Sequence, residues 1–485
     1  FVVKFDEGSN VEAVARKFAS LDVVKRVQFN SQVEKPEVQA FPVQPIASTR
    51  AIDMPFNDEM LPLQWHYDNR GDLDLNGLNE PVADADINLF EAWKYTTGNP
   101  QVVVAVVDEG VYYDHPDLAA NMWVNEAELT GAEGVDDDGN GYTDDIYGYN
   151  FALDSGRVST GRSGDSGHGT HVAGTVAAVN NNGVGVCGVA GGSGNGDGVR
   201  IMSCQIISGG TAAGVSATAA AVEYAADNGA CVLQNSWGFG AGQISNDAGF
   251  ENGSTSVEAQ AFLYFMQTKN HPNLDGGIVI FAAGNDGKAV AGYPAAWNKL
   301  IAVSAIAPDG LPTTYTNYGP GCNIAAPGGD FYAGDVTSVE NNRSRVLSTF
   351  INTAKDDNVG TGHDYVYMQG TSMACPHVSG VAALGLSYAY KVGKKFSREE
   401  YISMLLTSVN HIEDVNANFK DGYKGKFYIE GGKYNYVDLG AYRGGKMGTG
   451  GIDAWKLLMN VEGTPSISVK VLGEDEKAKR YDLTE

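Results

Sequence analysis

The sequence predicts an α/β fold with a mostly parallel central sheet, and three observations carry that prediction. The run Val102-Val103-Val104-Ala105-Val106-Val107 is unbroken by any polar residue and closes on Asp108-Glu109-Gly110. Such a strand is buried on both faces, as in a parallel sheet. Similar runs at Ile201–Ile207, Cys231–Gln234, Ile278–Ala283 and Leu300–Ala305 alternate with helical stretches at His168–Val179, Ala217–Asn228 and Ser256–Thr268, the order that βαβ units require. Finally, Gly370-Thr371-Ser372-Met373-Ala374-Cys375-Pro376-His377 leads into Val378, Val381, Ala382, Leu384 and Leu386 at helical spacing. That places Ser372 at or just before a helix N-terminus.

Size and charge set the outer limits. The chain has 485 residues, 43% of them hydrophobic, and 62 glycines. This length supplies a large core and fits two or three domains, or one big domain with appendages. A formal charge of −26 repels nucleic acid and anionic membrane surfaces, so neither is an expected partner. No apolar run approaches the roughly 18 residues that span a bilayer. Phe1-Val2-Val3-Lys4-Phe5 does not read as a signal peptide, so any such segment is expected to have been removed or left out. Five cysteines (Cys187, Cys204, Cys231, Cys322, Cys375) cannot all pair, and none shows CxxC spacing. Cys187, Cys204 and Cys231 sit among small or apolar residues and read as buried thiols.

Along the chain, residues 1–30 read as strand (Phe1–Phe5), amphipathic helix (Val11–Ser20) and strand (Val23–Phe29). Pro36, Pro42 and Pro45 then punctuate an aperiodic linker to about Arg50. From Asn57 to Tyr95 the pattern is loop-rich and closes on a short helix at Leu89–Tyr95. In parallel sheets functional residues gather beyond the carboxyl ends of strands, and Asp108 and Asn285 both follow strands in that way. Pro376 requires that the Ser372 helix has only just begun, since a first turn tolerates a missing N–H. Further on, Lys420–Tyr436 is rich in Gly, Tyr and Lys, and Gly450–Trp455 opens another helix. Ile467, Val469 and Val471 alternate as in a strand before a charged terminus.

Three residue types turn a hydroxyl into a nucleophile: the Ser, a His to take its proton, and a carboxylate to orient the imidazole. The chain offers Asp108 after a buried strand, His168 in Ser166-Gly167-His168-Gly169-Thr170-His171, and Ser372. Each has a plainer reading: a turn aspartate, a filler histidine, an N-cap serine. Their joint order on an α/β pattern carries the weight. The order Asp, His, Ser differs from that of α/β-hydrolases and of chymotrypsin, and the serine lacks a G-x-S-x-G elbow. Separately, Asp136 to Asp145 reads as an EF-hand-like loop, with Asp136, Asp138, Asn140 and Asp144 at ligand positions, Tyr142 at the carbonyl position and Gly141 at the turn. Tyr147 stands where the bidentate Glu belongs, so full EF-hand geometry is not expected; Ca²⁺ is favoured over a solvated acidic turn.

The blocks Val106-Val107-Asp108-Glu109-Gly110 with His115-Pro116-Asp117-Leu118, His168-Gly169-Thr170-His171-Val172-Ala173-Gly174, Phe281-Ala282-Ala283-Gly284-Asn285 and Gly370-Thr371-Ser372-Met373-Ala374 stand in that order. With them the chain, from roughly Asn57 to Tyr390, resembles the subtilisin-like serine proteases, in particular their thermitase-like branch. The resemblance implies a three-layer subtilisin-like fold and a secreted or cell-surface serine endopeptidase that acts on protein or peptide substrates. Asp108 would orient His168, His168 would act as base and then acid, and Ser372 would attack. Asn285 would hold the oxyanion together with the Ser372 N–H. Ser236-Trp237-Gly238 is similar to the segment that pairs with extended substrate, and Ser208-Gly209-Gly210 would form the opposite edge. Ala282, Ala283 and Gly284 would leave a primary pocket open. Trp237 reads equally as core filler.

The same resemblance implies a second calcium site, with ligands from Asp117, Asn182 and the carbonyls of Val179, Val184 and Val186, and from Asp58 by a looser match. Residues 1–50 would be the C-terminal half of a propeptide, an intramolecular inhibitor, with its linker. Residues 55–465 would be the catalytic domain, and 466–485 the truncated start of a C-terminal β-domain. One departure stands out, because the family's usual residue after the catalytic Asp is Ser or Thr and here it is Glu109. Glu109 is expected to face solvent or a basic partner and to raise the pH at which activity switches on. Two other readings remain: a pseudoprotease scaffold, which would lose a triad member whereas all are present here, and a maturation protease for one partner, which would look the same in its core and could use the insert at residues 330–366.

Overall fold

The structure is a computed structural model. It describes the chain except residues 1–2, 4–9, 22, 25–26, 37–38, 44–53, 74, 76–79, 159–165, 210, 332–341, 352–363, 416–424, 431–432, 464–465, 473–477 and 485. Numbered along the chain, its strands begin with β1 (Phe41–Pro42), β2 (Val103–Glu109), β3 (Gly148–Asn150), β4 (Arg200–Ser208), β5 (Thr211–Ala212) and β6 (Val232–Asn235). There follow β7 (Ile278–Ala282), β8 (Ile301–Ile306), β9 (Ile324–Pro327), β10 (Val346–Thr349), β11 (Tyr365–Met368) and β12 (Val409–Asn410). The last are β13 (Gly425–Glu430), β14 (Lys433–Asp438), β15 (Gly451–Ile452), β16 (Ser466–Leu472) and β17 (Ala478–Thr484).

The main sheet runs β12-β15-β9-β8-β7-β6-β2-β4-β3, with β5 added antiparallel to β4. Every pair from β15 to β3 along that order is parallel, and the β12–β15 edge pair is antiparallel. The central strand shows why its sequence is apolar throughout. Val102, Val104 and Val106 enter the core on one face, and Val103, Ala105 and Val107 enter the core on the other. With a period of two and both faces covered, every position must be apolar. The first face is covered by the helices His168–Ala177 and Thr371–Val392, through Val172, Val176, Val378 and Val381. The second is covered by the helices Val215–Asp227 and Ser256–Gln267, through Val222, Ala225, Phe262 and Phe265. Three layers result. The parallel direction brings the carboxyl ends of β2, β4, β6 and β7 to one edge, and that edge carries Asp108, Ser208, Ser236 and Asn285.

Several expectations change. Among residues 1–30 a helix forms at Val11–Ala19, capped by Asn10, whose side chain accepts from Ala13 N–H. The expected strand Phe1–Phe5 lies almost wholly outside the described residues, and the described part of 23–29 is not strand. The aperiodic segment after it is not a bare linker: β1 pairs with β11, and residues 31–34 pair with the main body. Sequence pattern misses such elements because two-residue strands have no period to read.

The Gly-, Tyr- and Lys-rich tract holds the hairpin β13–β14. Its Lys426 is buried, with Nζ 2.9 Å from Asp330 and 3.3 Å from Asp309. Burial lowers the ammonium's pKa, but the two carboxylates outweigh that and raise it. The expected strand at 467–471 is β16, and β17 lies antiparallel to it. All five cysteines are free thiols, four buried and Cys322 half-buried.

Candidate active site

Asp108 is the last residue but one of β2, where a register shift separates it from Glu109. It is fully buried, and its Oδ1 accepts from His168 Nδ1 at 2.7 Å and from Glu109 N–H at 2.7 Å. His168 opens its helix after Gly167, whose φ of 73° is a left-handed turn suited to glycine. A Cβ there would also meet the Phe350 ring at 2.6 Å. With Nδ1 held by the carboxylate, the Nε2 of His168 has no hydrogen-bond partner among the described residues. Burial lowers the imidazole's pKa, but the charge and hydrogen bond of Asp108, helped by Glu109, outweigh burial and raise it; Lys35 opposes them.

Ser372 is the second residue of the helix Thr371–Val392, after Gly370 with φ 150°. Its N–H therefore lies in the first turn, where no intrahelical acceptor exists. Ser372 Oγ donates to Ser236 O at 3.2 Å, and Ser236 Oγ donates to Ser372 O at 2.8 Å. The second bond explains Pro376, which lies inside the helix and not in its first turn as expected. A proline at that position supplies no N–H to the carbonyl four residues back, and Ser236 supplies a hydroxyl in its place.

Asn285 follows β7, and its Oδ1 accepts from Thr371 N–H (2.9 Å) and Thr371 Oγ1 (2.8 Å). Two donors on that oxygen fix the amide so that Nδ2 remains the free donor. Asn285, Gly284, Ser236, Trp237, Gly238 and Ser372 share a cleft of about 1060 Å³. The other wall of that cleft is Glu34, Lys35, Pro36 and Gln39 of the chain's own N-terminal segment. Val33 N–H donates to Ala213 O (3.3 Å), Val215 N–H donates to Ser31 O (2.7 Å), and Glu34 bridges Gly238 antiparallel. An extended strand thus lies between two edges.

One of those edges is Ser236-Trp237-Gly238, where Gly238 bridges Glu34 of the chain itself. The other is Ala213–Val215, and not Ser208-Gly209 as the sequence suggested. Gly209 O accepts from Lys35 Nζ at 3.1 Å, and Ser208 pairs within the sheet with Thr211. Gly210 lies outside the described residues. The edge was misplaced because β5 reverses the chain first, and Thr211-Ala212 carries no strand signal of its own. Trp237 has both expected characters: its backbone lines the cleft, and its indole packs against Phe281 with ring centres 5.1 Å apart.

The sequence model of the subtilase family matches residues 99–423. The chain belongs to the subtilase family. It is 33% identical over 305 residues to halolysin of Haloferax mediterranei, covering 63% of this chain and 45% of that one. It is 30% identical over 330 residues to a halolysin-like extracellular serine protease of Natrialba magadii, covering 67% and 48%. The chain thus spans about half the length of these curated relatives. A solved structure of proteases from Pseudoalteromonas arctica superposes with a TM-score of 0.56 at 25% identity, covering 84% of this chain and all of that one.

Two acidic groups of this subtilase have the chemistry of cation sites. Asp58 and Asp117 are buried close to the loop after the His168 helix. Asp58 accepts from Asn181 N–H (2.7 Å), and Asp117 from Asn182 Nδ2 (2.7 Å) and Val186 N–H (2.9 Å). Burial, then the charge of Asp58, pushes the Asp117 carboxyl up to about 8. The Val179 N–H is bonded to Asp117 O, and the Asn182 Oδ1 accepts from Val184 N–H.

In the EF-hand-like loop Asp136 and Asp138 converge, but their third partner is Glu128, with ligand atoms within 4.8 Å of one another. Asp144 is turned away, accepting from Gly134 N–H at 2.9 and 3.0 Å. Asn140 donates to Asp138 and accepts from Tyr142 N–H. Glu128 lies on the preceding helix, Glu126–Thr130, outside the loop's own spacing. Its burial amid solvated acids is the signal that distinguishes it, and sequence does not display burial.

Glu109 is buried, with its basic partner in Lys35 and not in solvent. Because its charge helps raise His168, Glu109→Gln is expected to titrate His168 at lower pH. Imidazole resonances followed by NMR against pH measure this; an unmoved titration contradicts it.

Proposed function

We propose that this chain is a serine endopeptidase working through Asp108, His168 and Ser372. The observation that supports it best is the 2.7 Å carboxylate–imidazole bond on the sheet edge that also presents a helix-initial serine. Lys35 ties the two halves together, since it lines the cleft with Ser372 and is ion-paired to Glu109, which holds His168 N–H. In the first step the Ser372 hydroxyl exchanges Ser236 O for the free His168 Nε2, gives up its proton and attacks the scissile carbonyl. Asp108 fixes the tautomer and stabilises the imidazolium. Asn285 Nδ2 and Ser372 N–H donate to the oxyanion. The imidazolium then protonates the leaving amine, and water, activated by His168, hydrolyses the acyl-enzyme.

Residues 1–50 are read as the C-terminal part of a propeptide whose strand at 31–36 fills the substrate cleft and inhibits the enzyme from within. Residues 55–465 are read as the catalytic domain, and 466–485 as a separate segment that carries the β16–β17 hairpin. The likeness to a protease named extracellular supports a secreted or cell-surface location, and no helix among the described residues is long and apolar enough to cross a membrane.

Activity on a protein substrate is expected to rise as the N-terminal segment is lost. Asn285→Ala is expected to slow turnover roughly 10²–10³-fold, the loss known for this donor in subtilisin. Constant activity while residues 1–50 are removed would overturn the inhibitory role, and full activity in Asn285→Ala would overturn the oxyanion role.

Ca²⁺ is proposed at both acidic groups. Asp58, Asp117, Asn182 and the carbonyls of Val179, Val184 and Val186 would hold one ion. Glu128, Asp136, Asp138, Asn140 and the Tyr142 carbonyl would hold the other, with Asp144 moving inward or staying out. Each ion would supply charge neutralisation and loop rigidity, with no step in catalysis. Calcium at a hundredfold excess over its Kd is expected to add about 2.7 kcal/mol of stability per site. Thermal unfolding with calcium and with chelator measures this, and identical midpoints would remove the metal from the account.

A further inference from the structure

Glu109 has a second property that the triad does not use. Its side chain is 1% exposed, and its two oxygens are unequal. Oε2 accepts from Ser166 N–H (2.9 Å), Ser166 Oγ (2.8 Å) and His168 N–H (3.2 Å). Oε1 is ion-paired with Lys35 Nζ at 3.2 Å and has no other partner among the described residues. The carboxylate is therefore fixed from behind by one oxygen, and the other meets the ammonium of Lys35, which lines the cleft. Lys35 arrives there on a strand of set register, one residue after the Glu34–Gly238 pair. Its ammonium also donates to Gly209 O at 3.1 Å. Together a carboxylate oxygen and a carbonyl form a small anionic notch beside the strand.

When an incoming strand takes its place, Oε1 is covered again, and a covered negative charge without a cation is costly. Any strand seated in the same register with a cation at this position cancels the cost; an apolar side chain leaves it in place. We propose that Glu109 is a specificity-determining residue that selects substrates with Lys or Arg at the register of Lys35. The ammonium makes a point contact, and a guanidinium fork can span Glu109 Oε1 and Gly209 O. The proposal rests on the protease reading and adds the substrate class to it. It also gives Lys35 its purpose, as the chain's own stand-in for the preferred substrate residue.

The test compares two peptides of one sequence, with Lys or with Met at that register, on the enzyme freed of its N-terminal segment and on its Glu109→Gln variant. A ratio of kcat/KM values taken on one enzyme cancels any effect of the substitution on folding or on His168. The wild type is expected to prefer Lys by roughly 30-fold or more, the scale for a buried charge pair, and Glu109→Gln to bring the ratio near one. A peptide-library digest should show Lys and Arg enriched at one fixed position relative to the cut. Equal use of both peptides by the wild type, or an unchanged ratio in Glu109→Gln, overturns the proposal and leaves the protease standing. Cleavage of neither peptide by the wild type overturns both.

Discussion

The constraint on which this structure depends is a carboxylate placed where water does not reach. Asp108 stands at the end of a strand buried on both faces and is itself fully buried. A bare buried carboxylate costs too much to persist, so donors must be brought to it. The His168 imidazole and the Glu109 N–H are those donors. To deliver the imidazole, the chain opens a helix at His168 through a left-handed glycine. To use it, a second helix, starting at Thr371 on the same face of the sheet, presents the Ser372 hydroxyl and an N–H of its first turn. The layers, the parallel direction and the two helix starts all serve that one buried charge.

The same bargain recurs around the molecule, which carries 59 acidic against 33 basic residues. Glu109 is satisfied by three donors on one oxygen and a lysine on the other. Asp309 and Asp330 close over Lys426, and losing that ammonium would leave two buried negative charges facing each other. Asp58 with Asp117, and Glu128 with Asp136 and Asp138, have donors but no basic side chain among their bonded partners, and burial drives the Asp117 carboxyl up to about 8. Acidic groups with a cation partner and acidic groups lacking one thus sort into different roles: positioning, locking, and metal binding.

Much of this was legible in the sequence, for physical reasons. Val102–Val107 could only be a doubly buried strand, and the strands at 201, 231, 278 and 300 fell within a residue or two of their observed starts. Glycine-flanked His168 and Ser372 marked helix starts because a glycine is needed there. What escaped was whatever depends on distant partners. Residues 31–36 have no pattern, since their bonds are made to residues 213–215 and 238. Glu128 joins Asp136 across a turn, and Asp144 is drawn off by Gly134. Pro376 lies inside its helix and not in the first turn, because the distant Ser236 replaces the hydrogen bond it forgoes.

The central claim is that three side chains, separated by 60 and 204 residues, act as one reactive unit. Labelling with a fluorophosphonate, followed by peptide mapping, tests it most directly on the enzyme freed of its N-terminal segment. The account predicts a single adduct, on Ser372, that disappears in His168→Ala while the fold is retained. An adduct on another residue, or equal labelling of Ser372 without the imidazole, would contradict it.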